Sequence, residues 1–174
     1  MTTQTDATYT AEEVTAHRAA WLAALRSGDY AQATGALRIE NTYCCLGVVE
    51  EVRGANWRHV DSLRDEDEED DHAVDDGTHG VPDVHDTYAF TTLSRDAQRW
   101  LGVVNDNPYV CYRPAGTTER WYLSELVALN DDGRLTLAAI ADVVADQRAD
   151  WDGSRERVQA DVDARNARRD EEER

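Results

Sequence analysis

The 174-residue chain has no lysine: all 18 of its basic residues are arginine, against 36 acidic ones, for a net charge of −18. A charge so negative opposes binding to nucleic-acid backbones and to anionic membranes, so no direct nucleic-acid partner and no membrane partner are expected. No apolar run approaches the ~18 residues of a membrane span, and the segment MTTQTDATYT lacks the basic start and apolar stretch of a secretory signal; these absences predict an intracellular protein. Three cysteines are a poor disulfide framework, and at this length folding buries roughly 70% of the unfolded chain's surface without staples. There is no CxxC pair, glycine-rich phosphate loop, GxSxG or HExxH, so no familiar metal, nucleotide or hydrolase signature is present. No metal site, no cofactor and no catalytic residue are assigned.

The acidity admits three readings. Acidic surfaces aid solubility, and an Asp-rich, Lys-free chain suits a halophilic or high-GC source. The second is an acidic decoy of DNA, and the third a cation-binding loop. The run Asp65–Asp71 (DEDEEDD) repels itself and cannot build a core, and it lacks the alternating ligands and glycine turn of a calcium loop. Residues 61–86 read as a mobile acidic insertion. His72, His79 and His85 lie within it among carboxylates, where a solvated loop is the plainer account than a zinc site.

Local signals outline the elements. Thr10 and Glu13 form a capping box, and Val14, Trp21, Leu22 and Leu25 follow at helical spacing until Gly28, predicting a helix over 11–27. Residues 36–40 suit a short strand. A helix over about 43–53, capped by Asn41 or Thr42, carries Cys45, Val48, Val49 and Val52 on one face. Trp57–Val60 is expected to face 87–91 across the insertion. Ser94 caps a short helix closed by Gly102, 109–113 and 119–123 alternate as a β-hairpin, 124–129 suggests a helical turn, and 130–133 a turn. Thr136 caps the clearest amphipathic helix, read as continuing towards Trp151. The fold class is α+β: a mainly helical single domain over 10–152 with one or two small β-hairpins or an antiparallel sheet. Past Gly153 the residues are nearly all charged, and 153–174 reads as a charged C-terminal tail, either a marginal helix or disordered, since Val158 and Val162 alone anchor a helix poorly.

Two constellations bear on function. Cys44 and Cys45 are adjacent at a helix start, where the helix N-terminus lowers a thiol's pKa and can produce a nucleophile. A small thiol hydrolase using Cys44 or Cys45 is therefore one reading; the plainer one makes Cys45 a small buried hydrophobe. The segment Arg26-Ser-Gly-Asp-Tyr-Ala-Gln32 gathers anion-binding and stacking groups beside that helix. Arg26, Tyr30, Gln32, Tyr43, Cys44, Asn130 and Asp131 are the candidate ligand-binding residues.

The same stretches carry a resemblance. Trp21-Leu-Ala-Ala-Leu-Arg-Ser-Gly-Asp-Tyr-Ala-Gln32, Tyr43-Cys-Cys-Leu-Gly-Val48, Leu129-Asn-Asp131 and Ile140-Ala-Asp-Val-Val144 resemble a family of small tailed-phage and prophage proteins with the patterns W-x-x-A-L-R-S-G-x-Y-x-Q, C-C-L-G-V and L-N-D. The departures are the acidic insertion, the charged end and Val49, where that family usually has Leu. The resemblance implies a viral accessory protein in the cytoplasm of an infected cell, and carries over no catalytic residues. Its expected mode is binding, as counter-defence sequestration of a nucleotide-like signal or of a host protein. A minor virion or assembly component and an acidic DNA mimic are the alternatives. The partner is thus an unknown small molecule or host protein, with a homo-oligomer left open.

Overall fold

The computed structural model describes residues 8–60, 79–82, 91–114 and 120–174. The chain is α+β, as its patterning predicts. Helix α1 (Ala11–Ser27) has the predicted box: the Glu13 amide donates to Thr10 Oγ1 and the Thr10 amide to Glu13 Oε2. Three short strands follow, β1 (Ala31–Gln32), β2 (Arg38–Ile39) and β3 (Thr42–Tyr43), then helix α2 (Cys45–Val52). Strands β4 (Trp57–Val60) and β5 (His79–Pro82) complete a sheet of order β1-β3-β2-β5-β4, antiparallel except for β1 beside β3.

Helix α3 (Arg95–Leu101) leads to a separate hairpin of β6 (Tyr109–Tyr112) and β7 (Tyr122–Glu125), and helices α4 (Leu126–Asp131), α5 (Leu137–Ala145) and α6 (Arg155–Glu172) follow. One core joins them. Trp21 and Leu25 of α1, Leu46, Val48 and Val49 of α2, Leu101, Leu126 and Ile140 are all buried in it, because each helix brings one apolar stripe and α1 packs on α2, α3 and α5 together.

Some local expectations are corrected, and others fall outside the described residues. The partner of β4 is 79–82, which also pairs with β2; residues 83–90, and so most of the segment first expected there, lie outside the described residues. So does the acidic insertion, apart from β5. The cap of α2 is Cys44, because Thr42 and Tyr43 are held in β3 by pairing with both β1 and β2. Helix α5 ends at Ala145, and Asn130 and Asp131, expected in a turn, close α4.

Of the two states expected for 153–174, the helix forms: the 18-residue α6 is packed on the hairpin and is not the weakly anchored segment expected. Val158 and Val162 are both buried. Two apolar anchors are too few to dock a helix, and polar groups supply the rest. Asn166 Oδ1 accepts from the Trp121 amide at 2.9 Å while its Nδ2 donates to the Trp121 carbonyl at 3.0 Å. The Arg165 guanidinium lies 4.2 Å over the Trp121 ring, within cation–π range. The connection before α6 is anchored as well. Trp151 is buried and donates to the Tyr109 carbonyl at 2.8 Å, and the Gly153 carbonyl accepts from the Tyr109 amide at 3.0 Å. Gln147 does for Cys111 what Asn166 does for Trp121, donating to its carbonyl at 3.0 Å and accepting from its amide at 2.9 Å. The two side-chain amides thus satisfy outward backbone groups of the hairpin, which would otherwise be open to pairing with another chain.

Candidate functional site

The seven candidate residues divide into three places. Gln32, Cys44, Asn130 and Asp131 converge around the start of α2. Asn130 is wholly buried. Its Oδ1 accepts from the Cys45 amide at 3.1 Å and from Gln32 Nε2 at 3.3 Å. Its Nδ2 donates to the Ala33 carbonyl at 2.7 Å and to Asp131 Oδ1 at 2.9 Å. Asp131 Oδ1 also accepts from the Gly35 amide at 3.1 Å, and Gln32 Nε2 donates to the Leu135 carbonyl at 3.0 Å. These groups satisfy one another, so they tie α4 to β1 and to α2 instead of facing a guest. Arg26 lies elsewhere, holding Asp142 of α5 at 2.8 Å on the surface. The expected single binding cavity is therefore not formed by these residues.

The paired cysteines belong to the same tie. Cys44 caps α2, its Sγ accepting from the Gly47 amide at 3.3 Å, and its own amide donates to the Leu37 carbonyl at 3.0 Å. Cys45 is fully buried, and its carbonyl accepts from Trp21 Nε1 at 3.0 Å. Gly47 completes the motif by close approach: a Cβ there would lie 1.8 Å from the Leu37 carbonyl oxygen. Each residue of Cys-Cys-Leu-Gly thus has a packing task.

Burial also reverses the expected thiol chemistry. It pushes the Cys44 thiol up to about 11 and raises Cys45 well above its ordinary value, outweighing the backbone N–H groups that favour the thiolate. Cys111 is likewise pushed up to about 11 by burial. His17 is engaged between α1 and α3, stacked on Trp100 at 4.4 Å with Nδ1 2.9 Å from the Trp100 carbonyl oxygen. Among the described residues, no group of three or more His, Cys, Asp or Glu side chains could hold a metal ion.

These observations predict that the folded protein resists alkylation by iodoacetamide at pH 8, with all three thiols reacting once it is unfolded in guanidinium. They also set an alkaline limit. The unfolded chain ionises its thiols near pH 9 while the folded chain keeps them protonated, so their contribution is complete below about pH 8.5 and declines as the pH rises towards 11. A urea midpoint measured from pH 8 to 10.5 reads that decline. Fast alkylation of the native protein would overturn the burial argument.

The third place is the sheet surface, where sequence reasoning named Tyr30 and Tyr43 but missed their partners. Tyr43 meets Tyr30 edge-on at 5.4 Å and Trp57 at 6.1 Å. Arg38 lies over both Tyr43 and Trp57, 5.2 Å from each ring centre. Glu51 holds the assembly from α2, accepting from Trp57 Nε1 at 2.6 Å and standing 4.0 Å from the Arg38 guanidinium. Burial raises the Tyr30 and Tyr43 phenols, with the Glu51 charge adding to the effect. Tyr30, Arg38 and Trp57 are each half-buried, so the cluster reaches solvent. No local motif marks Arg38 or Trp57; only the strand order β3-β2-β5-β4 brings them together.

The sequence profile of a family described as a domain of unknown function, DUF8296, matches residues 15–148. The chain belongs to the DUF8296 family. No curated protein and no solved structure matches it. In this DUF8296 protein the matched region runs from within α1 to just past α5, and so takes in both the Asn130 tie and the aromatic–arginine surface, while α6 lies beyond it. No described helix is long and apolar enough to cross a membrane.

Proposed function

We propose that this protein is an accessory protein of a tailed phage or prophage that acts by binding a host protein, with Tyr30, Arg38 and Trp57 as the contact and the buried Tyr43 as their support. The sequence resemblance supports the viral setting. The aromatic–arginine cluster carries the binding reading: Trp, Tyr and Arg are the side chains that dominate protein interfaces, and here they are held in place by Glu51, so little freedom is lost on contact. A net charge of −18 favours a partner with a basic rim and a salt-sensitive association rate. Buried thiols with raised pKa values count against the hydrolase reading.

A nucleotide-like signal is the second reading, favoured by flat rings beside a guanidinium, on which a base can stack. Two arms separate them. Immobilised protein incubated with host lysate is expected to retain a discrete partner, with retention reduced about tenfold or more in Arg38→Ala and Trp57→Ala. Circular dichroism checks that both variants fold. Equal retention by the wild type and both variants would reject the patch as the contact. A stabilisation of about 2.7 kcal/mol by a cyclic dinucleotide at 100-fold over its Kd would move the assignment to the small molecule.

A further inference from the structure

A cleft of about 240 Å³ opens between the α5–α6 connection and the first turns of α6. It shares no residue with the aromatic surface and lies where the family match gives out. Its floor is the buried pair Trp151 and Val158, and Ala160 and Ala164 line it from α6. Two guanidiniums stand at its rim and hold one carboxylate. Arg148 Nε lies 3.0 Å from Asp150 Oδ1, and its Nη2 3.4 Å from Oδ2. Arg157 Nη2 lies 3.4 Å from the same Oδ2, and its Nη1 donates to the Asp150 carbonyl at 3.2 Å and to Asp152 Oδ2 at 2.8 Å.

Arg148, Asp150 and Arg157 are each more than half exposed, and ion pairs this exposed hold weakly. Asp150 therefore fills, displaceably, the position that an incoming carboxylate would take. We propose that this cleft binds a monocarboxylate carrying a small aliphatic group, with Asp150 as an internal competitor. Arg148 and Arg157 grip the carboxylate, and the aliphatic group rests on Trp151 and Val158. Exchange of one carboxylate for another leaves the local charge unchanged. A dianion would add repulsion from Asp152 and from Asp161, which also lines the cleft. The net charge of the whole chain is screened beyond about 8 Å at physiological salt, so the two arginines govern the rim. The volume lies below the ~300 Å³ at which ordinary ligand pockets begin, which limits the guest to one aliphatic side chain.

The test is a titration of the full-length protein with N-acetyl-leucine and with N-acetyl-leucinamide, following the Trp151 indole N–H by NMR. The acid is expected to shift that signal saturably below about 10 mM, the range of weak single-site binding, and the amide to leave it in place. Arg148→Gln and Arg157→Gln should each weaken binding about tenfold, the loss of a charged hydrogen-bond partner. Asp150→Ala should tighten it, a gain that general surface stickiness would not produce. An acetylated tripeptide ending in leucine that binds tighter than N-acetyl-leucine identifies a peptide C-terminus as the source; equal binding identifies a free acid. Equal shifts with acid and amide, no shift with either, or an Asp150→Ala protein that binds no tighter would overturn the proposal. The unliganded position of the Trp151 signal reports folding in every variant.

Discussion

Replacing Gly47 with alanine is expected to cost more than about 4 kcal/mol, at the exceptional end for a single substitution. The added Cβ would lie 1.8 Å from the Leu37 carbonyl oxygen and 2.7 Å from its carbon. Leu37 has nowhere to retreat. Its side chain is fully buried, and its carbonyl accepts from the Cys44 amide that starts α2. Either α2 lifts away from the sheet or the 36–38 backbone shifts, and both open the core around Trp21 and Leu46. Since a domain's total stability is about 5–15 kcal/mol, the variant should be largely unfolded or aggregated at 37 °C. Gly133→Ala is the control. It places a side chain at φ 67°, yet its Cβ meets nothing within 4 Å, so only the left-handed penalty of about 1–2 kcal/mol applies. Urea unfolding followed by circular dichroism compares the two. A Gly47→Ala protein no less stable than Gly133→Ala would refute the close approach of α2 to Leu37.

The second large effect is expected at Asn130. Aspartate there keeps the shape but loses both amide donors. It sets a carboxylate against the Ala33 carbonyl, 2.7 Å from the present Nδ2, and against Asp131 Oδ1, 2.9 Å away. An uncompensated charge at a fully buried position costs about 3–5 kcal/mol. Burial and Asp131 would raise the pKa of the new carboxyl in the folded state above its unfolded value of about 3.9. Its penalty is therefore least below pH 4 and grows as the pH rises, so the stability gap from wild type should narrow on acidification. Asn130→Leu removes the charge but leaves the Cys45 amide and the Ala33 carbonyl unpaired, at about 1–3 kcal/mol each, and its gap should not depend on pH. Urea midpoints at pH 4.5 and 7 separate these outcomes. An Asn130→Asp protein within about 1 kcal/mol of wild type at pH 7, the size of an ordinary substitution, would show that Asn130 does not tie the helices.

These expectations share a cause. Gly47 and Asn130 sit in the segments Cys-Cys-Leu-Gly-Val and Leu-Asn-Asp, and both act by holding backbone to backbone. The candidate binding residues Gln32, Asn130 and Asp131 are neighbours in the fold. Their polar groups pointed to a ligand only because their protein partners could not be seen. Arg26 is close to Tyr30 in sequence, but α1 turns it towards Asp142, 116 residues away. Arg38 and Trp57 carried no signal, since neither has a spacing that chemistry demands. The docking of α6 is not legible in the sequence because periodicity counts apolar residues, whereas Asn166 and Arg165 dock it through an amide pair and a cation–π contact.

What the amino-acid order determined unaided is the set of local elements and the fold class. Thr10, Ser94 and Thr136 each accept from an amide three residues on, and Gly28 and Gly102 stop their helices with positive φ. Such signals depend on neighbours within one turn, so they are legible without knowing the rest of the molecule. Tertiary structure alone decided what the paired cysteines and Asn130 do, which strand β4 meets, and where an exposed aromatic–arginine surface forms. The contact between Asn130 and Cys45 spans 85 positions and that between Trp121 and Asn166 spans 45. A side chain's task at such range depends on which backbone group the fold brings to it, and no local pattern encodes that.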